Sequence, residues 1–154
     1  MTGLQIFGVP GLPEIVEGTD LAAAILASAA AAGTPLADGD VVVVTSKIVS
    51  KAEGRTVELD QVVPSPFAVE WSAQWEKDPA VTEIVLRESK RVVRQIGPIL
   101  ITETHHGFVC ANSGVDQSSS GAHGRAVLLP VDPDGSARAI RSGLKAGGVD
   151  AAII

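Results

Sequence analysis

The apolar residues of the chain fall into short runs separated by turn residues, and these runs predict β-strands. The first run, Leu4–Val9, ends at a proline. A run of four valines, Val41–Val44, follows a turn and reads as a buried strand. Further strands are predicted at residues 91–96, 98–104, 107–111, 126–131 and 149–154, with a short extended piece at 56–63.

Capping residues predict four helices between these strands. Each helix begins at Ser, Thr or Asp, whose short side chain can accept a hydrogen bond from the first turn. Proline directly follows two of these caps and suits the first helical position. The helices are expected from Thr19 or Asp20 to near Gly33, from Ser65-Pro66, from Asp78-Pro79, and over Ser136–Lys145.

The order of these elements bears on the fold class. Strands and helices occur without the regular alternation that a doubly wound sheet requires. The order therefore predicts the α+β class, with a mixed β-sheet and flanking helices. No repeat or long linker interrupts the sequence, and the stretch at 118–124, rich in glycine and serine, is interpreted as a loop. We expect residues 1–154 to form a single domain.

Composition narrows the classes of function. The chain has 154 residues and 45% of them are hydrophobic, which is enough apolar material for a core. A net charge of −6 and an aromatic content of 3% argue against binding to nucleic acid or to an anionic membrane. Cys110 is the only cysteine and no targeting segment is recognised, so a cytoplasmic protein without an intrachain disulfide is expected.

The most informative stretch is VVVVTSKIVSKAEGR, in which a valine strand leads into hydroxyl and ammonium groups. The end of a buried strand is held rigidly, and this suits ligand binding. Lys47 and Lys51 could neutralise phosphate charge, while Ser46 and Ser50 could donate hydrogen bonds. The alternative interpretation is a solvated turn that contains lysine, and the stretch lacks the spacing of a Walker P-loop.

A second candidate stretch, ANSGVDQSSSG, places Asp116 among amide and hydroxyl side chains. Oxygen ligands of these kinds suit Mg²⁺ or Mn²⁺ that bridges nucleotide phosphates. The alternative is a surface turn rich in Asn, Asp and Ser. One carboxylate cannot hold a catalytic metal alone, so a second carboxylate is expected elsewhere.

Two aspartates precede the last predicted helix within PVDPDGSA. Asp132 and Asp134 could bind metal, but a structural role is favoured for both. We expect Asp134 or Ser136 to cap the helix and the prolines to shape the turn.

The remaining polar and aromatic candidates also favour structural roles. His105 and His106 lack the spacing and the cysteine partners of a zinc site. Cys110 is expected to be a small core residue rather than a nucleophile. Trp71 and Trp75, four residues apart, are interpreted as a packed helix face.

Four segments carry a family resemblance when they are taken in order and at this spacing. They are GLPEIVEGTDL (11–21), DVVVVTSKIVSKAEGR (40–55), ETHHGFVCANSGVD (103–116) and LLPVDPDGSA (128–137). Together they resemble the coenzyme F420-0:γ-glutamyl ligase family over nearly the whole chain. The resemblance is strongest to the N-terminal ligase domain of actinobacterial enzymes that carry an extra C-terminal domain, and it implies a γ-glutamyl ligase-like fold.

The resemblance also implies an activity. Members of the family are GTP-dependent amide ligases that add L-glutamate through γ-linkages to coenzyme F420-0 by way of an acyl-phosphate, releasing GDP and phosphate. The implied cofactor is a divalent metal, Mg²⁺ or Mn²⁺, with a monovalent cation as a further option. The implied partners are GTP, L-glutamate, coenzyme F420-0 and a second copy of the chain in a homodimer, with no nucleic acid and no membrane.

The same resemblance assigns residues to the site and leaves the general base unassigned. Asp116 is expected to bind the divalent metal. Ser119 stands where the family has Asn, and its hydroxyl can still donate to the nucleotide although it lacks the amide's paired donor and acceptor. The other residues expected to contact GTP are Leu12, Pro13, Glu14, Ile15, Ser46 and Lys51.

The sequence ends at Ile154, before the Asp-Thr pair and the Gly-Arg segment that follow in the family. We therefore expect an N-terminal portion of a γ-glutamyl ligase domain that is a poor catalyst by itself. Two alternatives stay open. One is a non-catalytic module or truncated inactive homologue that binds nucleotide or deazaflavin, and the other is a phosphotransferase of unrelated chemistry.

Overall fold

The computed structural model describes residues 3–117 and 124–154, which divide into two compact units. Unit 1 comprises Met1–Gly54 and Pro130–Ile154, and unit 2 comprises Arg55–Leu129. The described residues contain five α-helices: α1 (Leu21–Ala31), α2 (Ser46–Ala52), α3 (Pro66–Trp75), α4 (Pro79–Arg87) and α5 (Pro133–Ala146). The strands of the same ranges are β1 (Val41–Val42), β2 (Thr56–Glu58), β3 (Ser89–Ile96), β4 (Ile99–Thr104), β5 (Val109–Ala111), β6 (Arg125–Val127) and β7 (Ala152–Ile153).

Unit 1 combines α1, α2 and α5 with a two-stranded parallel sheet. Strand β1 pairs with β7, so that Val41 lies opposite Ala152. Helices α1 and α5 approach closely, because a Cβ added to Gly143 would lie 2.5 Å from the Cβ of Ala22. The buried core of this unit consists of Ile15, Leu21, Ala22, Ile25, Val42, Val49, Ile140, Leu144 and Ala151.

Unit 2 combines α3 and α4 with two antiparallel sheets. One sheet pairs β2 with β6, and the other has the strand order β3-β4-β5. Two apolar clusters form its core. One contains Leu59, Ala80, Ile84, Ala126 and Leu128, and the other contains Trp71, Val85 and Leu100.

The predicted helix starts are confirmed for the first three predicted helices. Asp20 caps α1 and accepts a hydrogen bond from the Ala23 N–H at 3.0 Å. Ser65 and Asp78 cap α3 and α4 in the same way, each followed by proline in the first turn. These caps could be recognised because the signal is local in sequence.

The expected cap of the last helix is wrong. Helix α5 begins at Pro133, and Asp132 is its cap, with Oδ1 accepting from the Gly135 N–H at 2.9 Å. Asp134 and Ser136 are the second and fourth residues of the helix, so neither is the residue that precedes its first turn.

The α+β class is confirmed, but the single mixed sheet is not. The described strands form three separate small sheets, one parallel and two antiparallel. The predicted strand at Leu4–Val9 is absent, since no described strand pairs with it and the side chains of Leu4 and Ile6 are 88% and 84% exposed. The valine run forms a strand only over Val41–Val42, and Val43 is 77% exposed.

Two packing predictions are only partly confirmed. Trp71 is buried with Val85 and Leu100, but Trp75 is 36% exposed, so the two rings do not form one packed face. Cys110 on β5 is half-buried rather than part of a core cluster. Among the described residues, none of the helices has both the length and the apolar character to cross a bilayer.

Candidate functional site

The segment around Leu12–Ile15 is anchored to the core of unit 1 by its two aliphatic ends. Ile15 is buried in the same cluster as Val49 of α2, and Leu12 packs against that cluster. Pro13 and Glu14, between them, are exposed. The segment therefore has a fixed backbone and presents its middle residues to solvent.

The chain beyond this segment is tied to the end of α2. The Gly18 N–H donates to the Ala52 carbonyl at 2.8 Å and so satisfies a carbonyl in the last turn of the helix. Gly54 has a φ of +68°, and an added Cβ there would lie 2.7 Å from the Glu17 carboxyl carbon. Glycine is therefore favoured at this position by its backbone conformation, whereas the carboxyl group of the exposed Glu17 side chain can move aside.

The stretch after the valine run is a helix, so the alternative interpretation of a solvated turn is wrong. Thr45 caps α2 by accepting a hydrogen bond from the Lys47 N–H at 3.3 Å. The signals for this helix were present in the sequence: a capping threonine before Ser46, apolar side chains at Ile48, Val49 and Ala52, and Gly54 just past the end.

The two predicted GTP contacts on α2 lie on different sides of the helix. Ser46 is its first residue and is exposed, while Lys51 is in the last turn and is half-buried. Five positions along an α-helix correspond to a rotation of about 140° and a rise of about 7.5 Å. Lys51 forms no ion pair with any residue that the structure describes, so its charge is available to a ligand.

Ser50 cannot play the ligand-binding role that its place in the sequence suggested. The residue is 1% exposed, and its hydroxyl has no hydrogen-bond partner among the described residues. It is buried, away from any ligand in solvent. A serine beside two candidate ligand residues looks polar in the sequence, but the helical period turns it inwards.

In unit 2, a network of buried hydroxyl groups fixes the backbone ahead of Asp116. The Ser113 hydroxyl lies 2.7 Å from that of Ser89 and 2.8 Å from that of Thr102, and it donates to the Val85 carbonyl at 3.1 Å. Asn112 and Ser113 both have positive φ, at 50° and 53°. Non-glycine residues in this conformation store strain, which the surrounding hydrogen bonds hold in place.

Asp116 itself is held in place through its backbone. Its N–H donates to the Val127 carbonyl at 2.9 Å, and its carbonyl accepts from the Val127 N–H at 2.7 Å. The residue is half-buried and belongs to unit 2, whereas the predicted GTP contacts at 12–15, 46 and 51 belong to unit 1. Ser119, the remaining predicted contact, lies outside the described residues.

The next question is whether side chains that could bind a divalent metal lie close together in the described residues. Within residues 3–117 and 124–154, no three side chains of His, Cys, Asp or Glu are grouped so that they could hold a metal ion. The described His, Cys, Asp and Glu side chains therefore do not form a metal cage by themselves. Mg²⁺ that is bound mainly by nucleotide phosphates needs only one or two carboxylates, and Asp116 fits that chemistry as one hard oxygen ligand.

The other candidates have structural surroundings. The Nε2 atom of His105 lies 3.0 Å from the Arg87 carbonyl, which suits a hydrogen bond that joins β4 to the end of α4. The Cys110 carbonyl accepts a 3.4 Å hydrogen bond from the Thr102 hydroxyl within the sheet. Asp132 is engaged as the cap of α5.

Three carboxyl groups with lowered pKa also tie elements together. Hydrogen bonds from Ser65, followed by that from Arg87, lower the pKa of Glu83 to about 2. A hydrogen bond from Arg91 lowers the pKa of Glu103, which joins β3 to β4. Arg141 does the same for Asp150, and the resulting pair links α5 to the segment before β7.

Comparison with known proteins places these residues in a family. Residues 11–154 match the family model described as F420-0:gamma-glutamyl ligase. The chain belongs to this family. The match confirms the resemblance that the four sequence segments carried.

Relatives named coenzyme F420:L-glutamate ligase share this sequence over most of the chain. The one from Methanothermobacter thermautotrophicus is 41% identical over 153 residues, which are 99% of this chain and 60% of the relative. The one from Methanopyrus kandleri is 44% identical, over 98% of this chain and 58% of the relative. A third, from Halobacterium salinarum, is 42% identical, over 93% and 56% respectively. The chain thus spans about 60% of the length of these family members.

Proposed function

We propose that the protein takes part in the GTP-dependent addition of L-glutamate, through γ-linkages, to coenzyme F420-0. The observation that carries this proposal is the family match over residues 11–154, together with relatives at 41–44% identity that are named coenzyme F420:L-glutamate ligase. The anchored Leu12–Ile15 segment supports a nucleotide site in unit 1, as does the charge of Lys51, which forms no ion pair with the described residues.

The proposed reaction has two steps. A carboxylate oxygen of coenzyme F420-0 attacks the γ-phosphorus of GTP, an O–P bond forms, the bond to the β-phosphate oxygen breaks, and GDP leaves. The amine of L-glutamate then attacks the acyl carbon of the acyl-phosphate. A C–N bond forms, the C–O bond to phosphate breaks, and the nitrogen loses a proton. Positioning and charge stabilisation supply most of the acceleration in reactions of this class.

The residues of unit 1 have separate roles in this proposal. Lys51 offsets the charge of a phosphate group, and Ser46, on another side of α2, donates a hydrogen bond to a different part of GTP. Leu12 and Ile15 anchor their segment in the core, so that the exposed Pro13 and Glu14 are positioned for contact with the nucleotide.

Asp116 is proposed as one ligand of a divalent metal, Mg²⁺ or Mn²⁺. Its backbone is fixed by both hydrogen bonds to Val127, which limits the positions that the carboxylate can take. When bound, such an ion neutralises negative charge on phosphate oxygens. We further propose that the protein acts in the cytoplasm as a homodimer, which sedimentation at micromolar concentration would test.

Mass spectrometry tests the proposed activity directly. The protein is incubated with coenzyme F420-0, GTP, L-glutamate and Mg²⁺ or Mn²⁺, and the deazaflavin is analysed. The expected product is heavier by one glutamyl residue, and one GDP is released for each bond formed. Binding of F420-0 or GTP without product would favour the non-catalytic module, and GTP hydrolysis that neither F420-0 nor glutamate stimulates would favour the phosphotransferase.

A further inference from the structure

Three consecutive residues just before Asp116 have a left-handed backbone conformation. Asn112, Ser113 and Gly114, which we call the left-handed turn, have φ of 50°, 53° and 70°. Glycine adopts this conformation without a steric cost, whereas other residues adopt it mostly as single residues. Two non-glycine residues in succession are therefore strained, and such strain persists only where the surrounding structure holds it in place.

The Ser113 side chain forms a large part of what holds this turn. Ser113 is 1% exposed, and its hydroxyl lies at 2.7 Å from the Ser89 hydroxyl, 2.8 Å from the Thr102 hydroxyl and 3.1 Å from the Val85 carbonyl oxygen. The Ser113 N–H also donates to the Thr102 hydroxyl, at 2.9 Å. Ser113 is thus hydrogen-bonded through both its side chain and its backbone N–H. We call the hydroxyl groups of Ser89, Thr102 and Ser113 the hydroxyl network.

The partners of Ser113 belong to three different elements of unit 2. Val85 lies in α4, Ser89 is the first residue of β3, and Thr102 lies in β4. These elements are also joined by apolar packing, since Val85 and Leu100 of β4 share a buried cluster. A hydroxyl that contacts all three elements therefore fixes the turn relative to a framework that does not depend on the hydroxyl network alone.

Only Val115 separates the left-handed turn from Asp116. The Val115 N–H donates to the Asn112 carbonyl at 2.9 Å, and the Val115 side chain packs against both apolar clusters of unit 2. Asp116 then pairs with Val127 through both of its backbone groups. The turn therefore sets the direction from which the chain reaches Asp116, and a change in the turn has one residue in which to be absorbed.

We propose that Ser113 is a positioning residue for the metal ligand Asp116. Its hydroxyl holds the strained turn, and the turn directs the Asp116 carboxylate, so Ser113 acts without touching the metal or the nucleotide. This inference rests on the proposed function, in which Asp116 binds Mg²⁺ or Mn²⁺. Groups that orient a metal ligand typically change metal affinity by about 10–100-fold when they are removed.

Calorimetric titration of the full chain with GTP tests this inference. Each variant is titrated once in excess Mn²⁺ and once with the metal removed by EDTA, so that the contribution of the metal to GTP affinity is measured separately. Ser113→Ala should raise the dissociation constant in Mn²⁺ about tenfold and leave the metal-free value unchanged. Asp116→Asn, which alters the ligand itself, is the reference and should show the same pattern.

Two further variants separate the turn from the hydroxyl. Ser113→Gly also removes the hydroxyl, but glycine keeps a positive φ without help, so the dissociation constant in Mn²⁺ should return towards the parent value. Ser89→Ala removes one of the three contacts of the Ser113 hydroxyl and should raise the same constant about threefold. This milder variant keeps the inference testable if Ser113→Ala does not fold.

The matched control is Ser72→Ala, in the same unit. Ser72 is also 1% exposed, and its hydroxyl donates to that of Thr82 at 2.7 Å, outside the hydroxyl network. Ser72→Ala should lower the urea midpoint of unfolding, as Ser113→Ala does, but leave both dissociation constants for GTP unchanged. A role of Ser113 in stability alone would therefore not produce the expected change in metal-dependent affinity.

Three results would overturn the inference. They are an unchanged GTP affinity in Mn²⁺ for both Ser113→Ala and Ser89→Ala, an equal loss of affinity with Ser72→Ala, and a Ser113→Gly variant that binds as weakly as Ser113→Ala. If Asp116→Asn loses the contribution of the metal and the Ser113 variants keep it, the positioning role fails while the proposed function stands. If Asp116→Asn binds GTP in Mn²⁺ as the parent protein does, the proposed metal ligand fails as well.

Discussion

The carboxylate of Glu83 shows how one residue can link two helices of unit 2. It accepts a hydrogen bond from the Ser65 N–H, at the cap of α3, at 2.9 Å and another from Arg87, within α4, also at 2.9 Å. These donors stabilise the ionised form, and the pKa therefore falls from about 4.5 to about 2. The contact joins α3 to α4 without being part of the apolar core.

This pKa predicts a dependence of stability on pH. A carboxyl group whose pKa is lowered by folding stabilises the folded state fully above pH 4.5, and this contribution disappears as the pH falls towards 2. Glu83→Gln should lower the free energy of unfolding by about 2 kcal/mol at pH 6, and the difference from the parent protein should shrink below pH 4.5. Urea unfolding at several pH values measures this difference in the free energy of unfolding.

The control for this prediction is Glu70→Gln. Glu70 is exposed on α3 and forms no ion pair with the described residues, so its loss removes the same charge without the hydrogen bonds. Glu70→Gln should change the free energy of unfolding by no more than about 0.5 kcal/mol. A difference between the Glu83→Gln and parent proteins that is the same at pH 6 and pH 3 would contradict the assignment.

Lys51 is the residue of α2 on which the nucleotide proposal depends most. Lys51→Ala should raise the dissociation constant for GTP tenfold or more, since a charge-assisted hydrogen bond is worth roughly 1.5–3 kcal/mol. Lys145→Ala is a matched control, because Lys145 also lies in the last turn of a helix of unit 1. Calorimetric titration would show whether the two variants differ, and equal GTP affinities would place Lys51 outside the site.

At the scale of helices and strands, the sequence correctly predicted the features that depend only on neighbouring residues. Asp20, Ser65 and Asp78 mark helix starts because a cap needs only its own following turn. Strand pairing is not local, because β1 pairs with β7 from the far end of the chain. The residues near β1 in the sequence do not indicate which strand it pairs with. The apolar run at Leu4–Val9 has strand-like composition but no partner within the described residues, so composition alone predicted it wrongly.

For the candidate site, the sequence predicted which residues to consider but not how they are arranged. The family motifs pointed to Lys51 and Asp116, but the sequence did not show that Ser46 and Lys51 lie on different sides of a helix. Nor could it show that Trp71 is buried whereas Trp75 is 36% exposed, since two tryptophans four residues apart have the same sequence pattern in either case. Such distinctions depend on contacts between distant segments.

The corrected cap of α5 gives a prediction for one element. Asp132→Ala should lower the free energy of unfolding by about 1 kcal/mol, because the Gly135 N–H loses its acceptor. Asp134→Ala removes the same charge from the first turn without removing the cap, and in about 0.5 M salt its interaction with the helix dipole is screened. Chemical unfolding of both variants shows whether Asp132 or Asp134 caps the helix. A larger effect at Asp134 would restore the original assignment.

At the scale of the whole molecule, a substitution of Asp116 tests whether the proposed ligation requires a divalent metal. Asp116→Asn keeps the size of the side chain but offers a neutral and weaker ligand to a hard cation. We expect ligation to fall strongly and to need a higher Mg²⁺ concentration, while the circular dichroism spectrum stays unchanged. Asp60→Asn, at an exposed position of unit 2, should leave the metal dependence as it was. Full activity of Asp116→Asn at low Mg²⁺ would remove Asp116 from the site.

The distribution of residues between the two units decides how nucleotide binding should be measured. Every described residue that is proposed to contact GTP lies in unit 1, whereas both tryptophans lie in unit 2 and tyrosine is absent from the chain. Intrinsic fluorescence therefore reports on unit 2, and the heat absorbed on unfolding reports on both units. Scanning calorimetry is the appropriate measurement.

With Mg²⁺ and GTP at about one hundred times the dissociation constant, binding should stabilise the folded protein by about 2.7 kcal/mol. For a chain of this size that corresponds to a rise in Tm of roughly 5–10 °C. ATP at the same concentration should produce a clearly smaller rise, and Lys51→Ala should reduce the GTP effect while Lys145→Ala retains it. Equal shifts with GTP and ATP would argue that the site does not select the guanine base. The absence of a shift with either nucleotide would argue against a nucleotide site in unit 1.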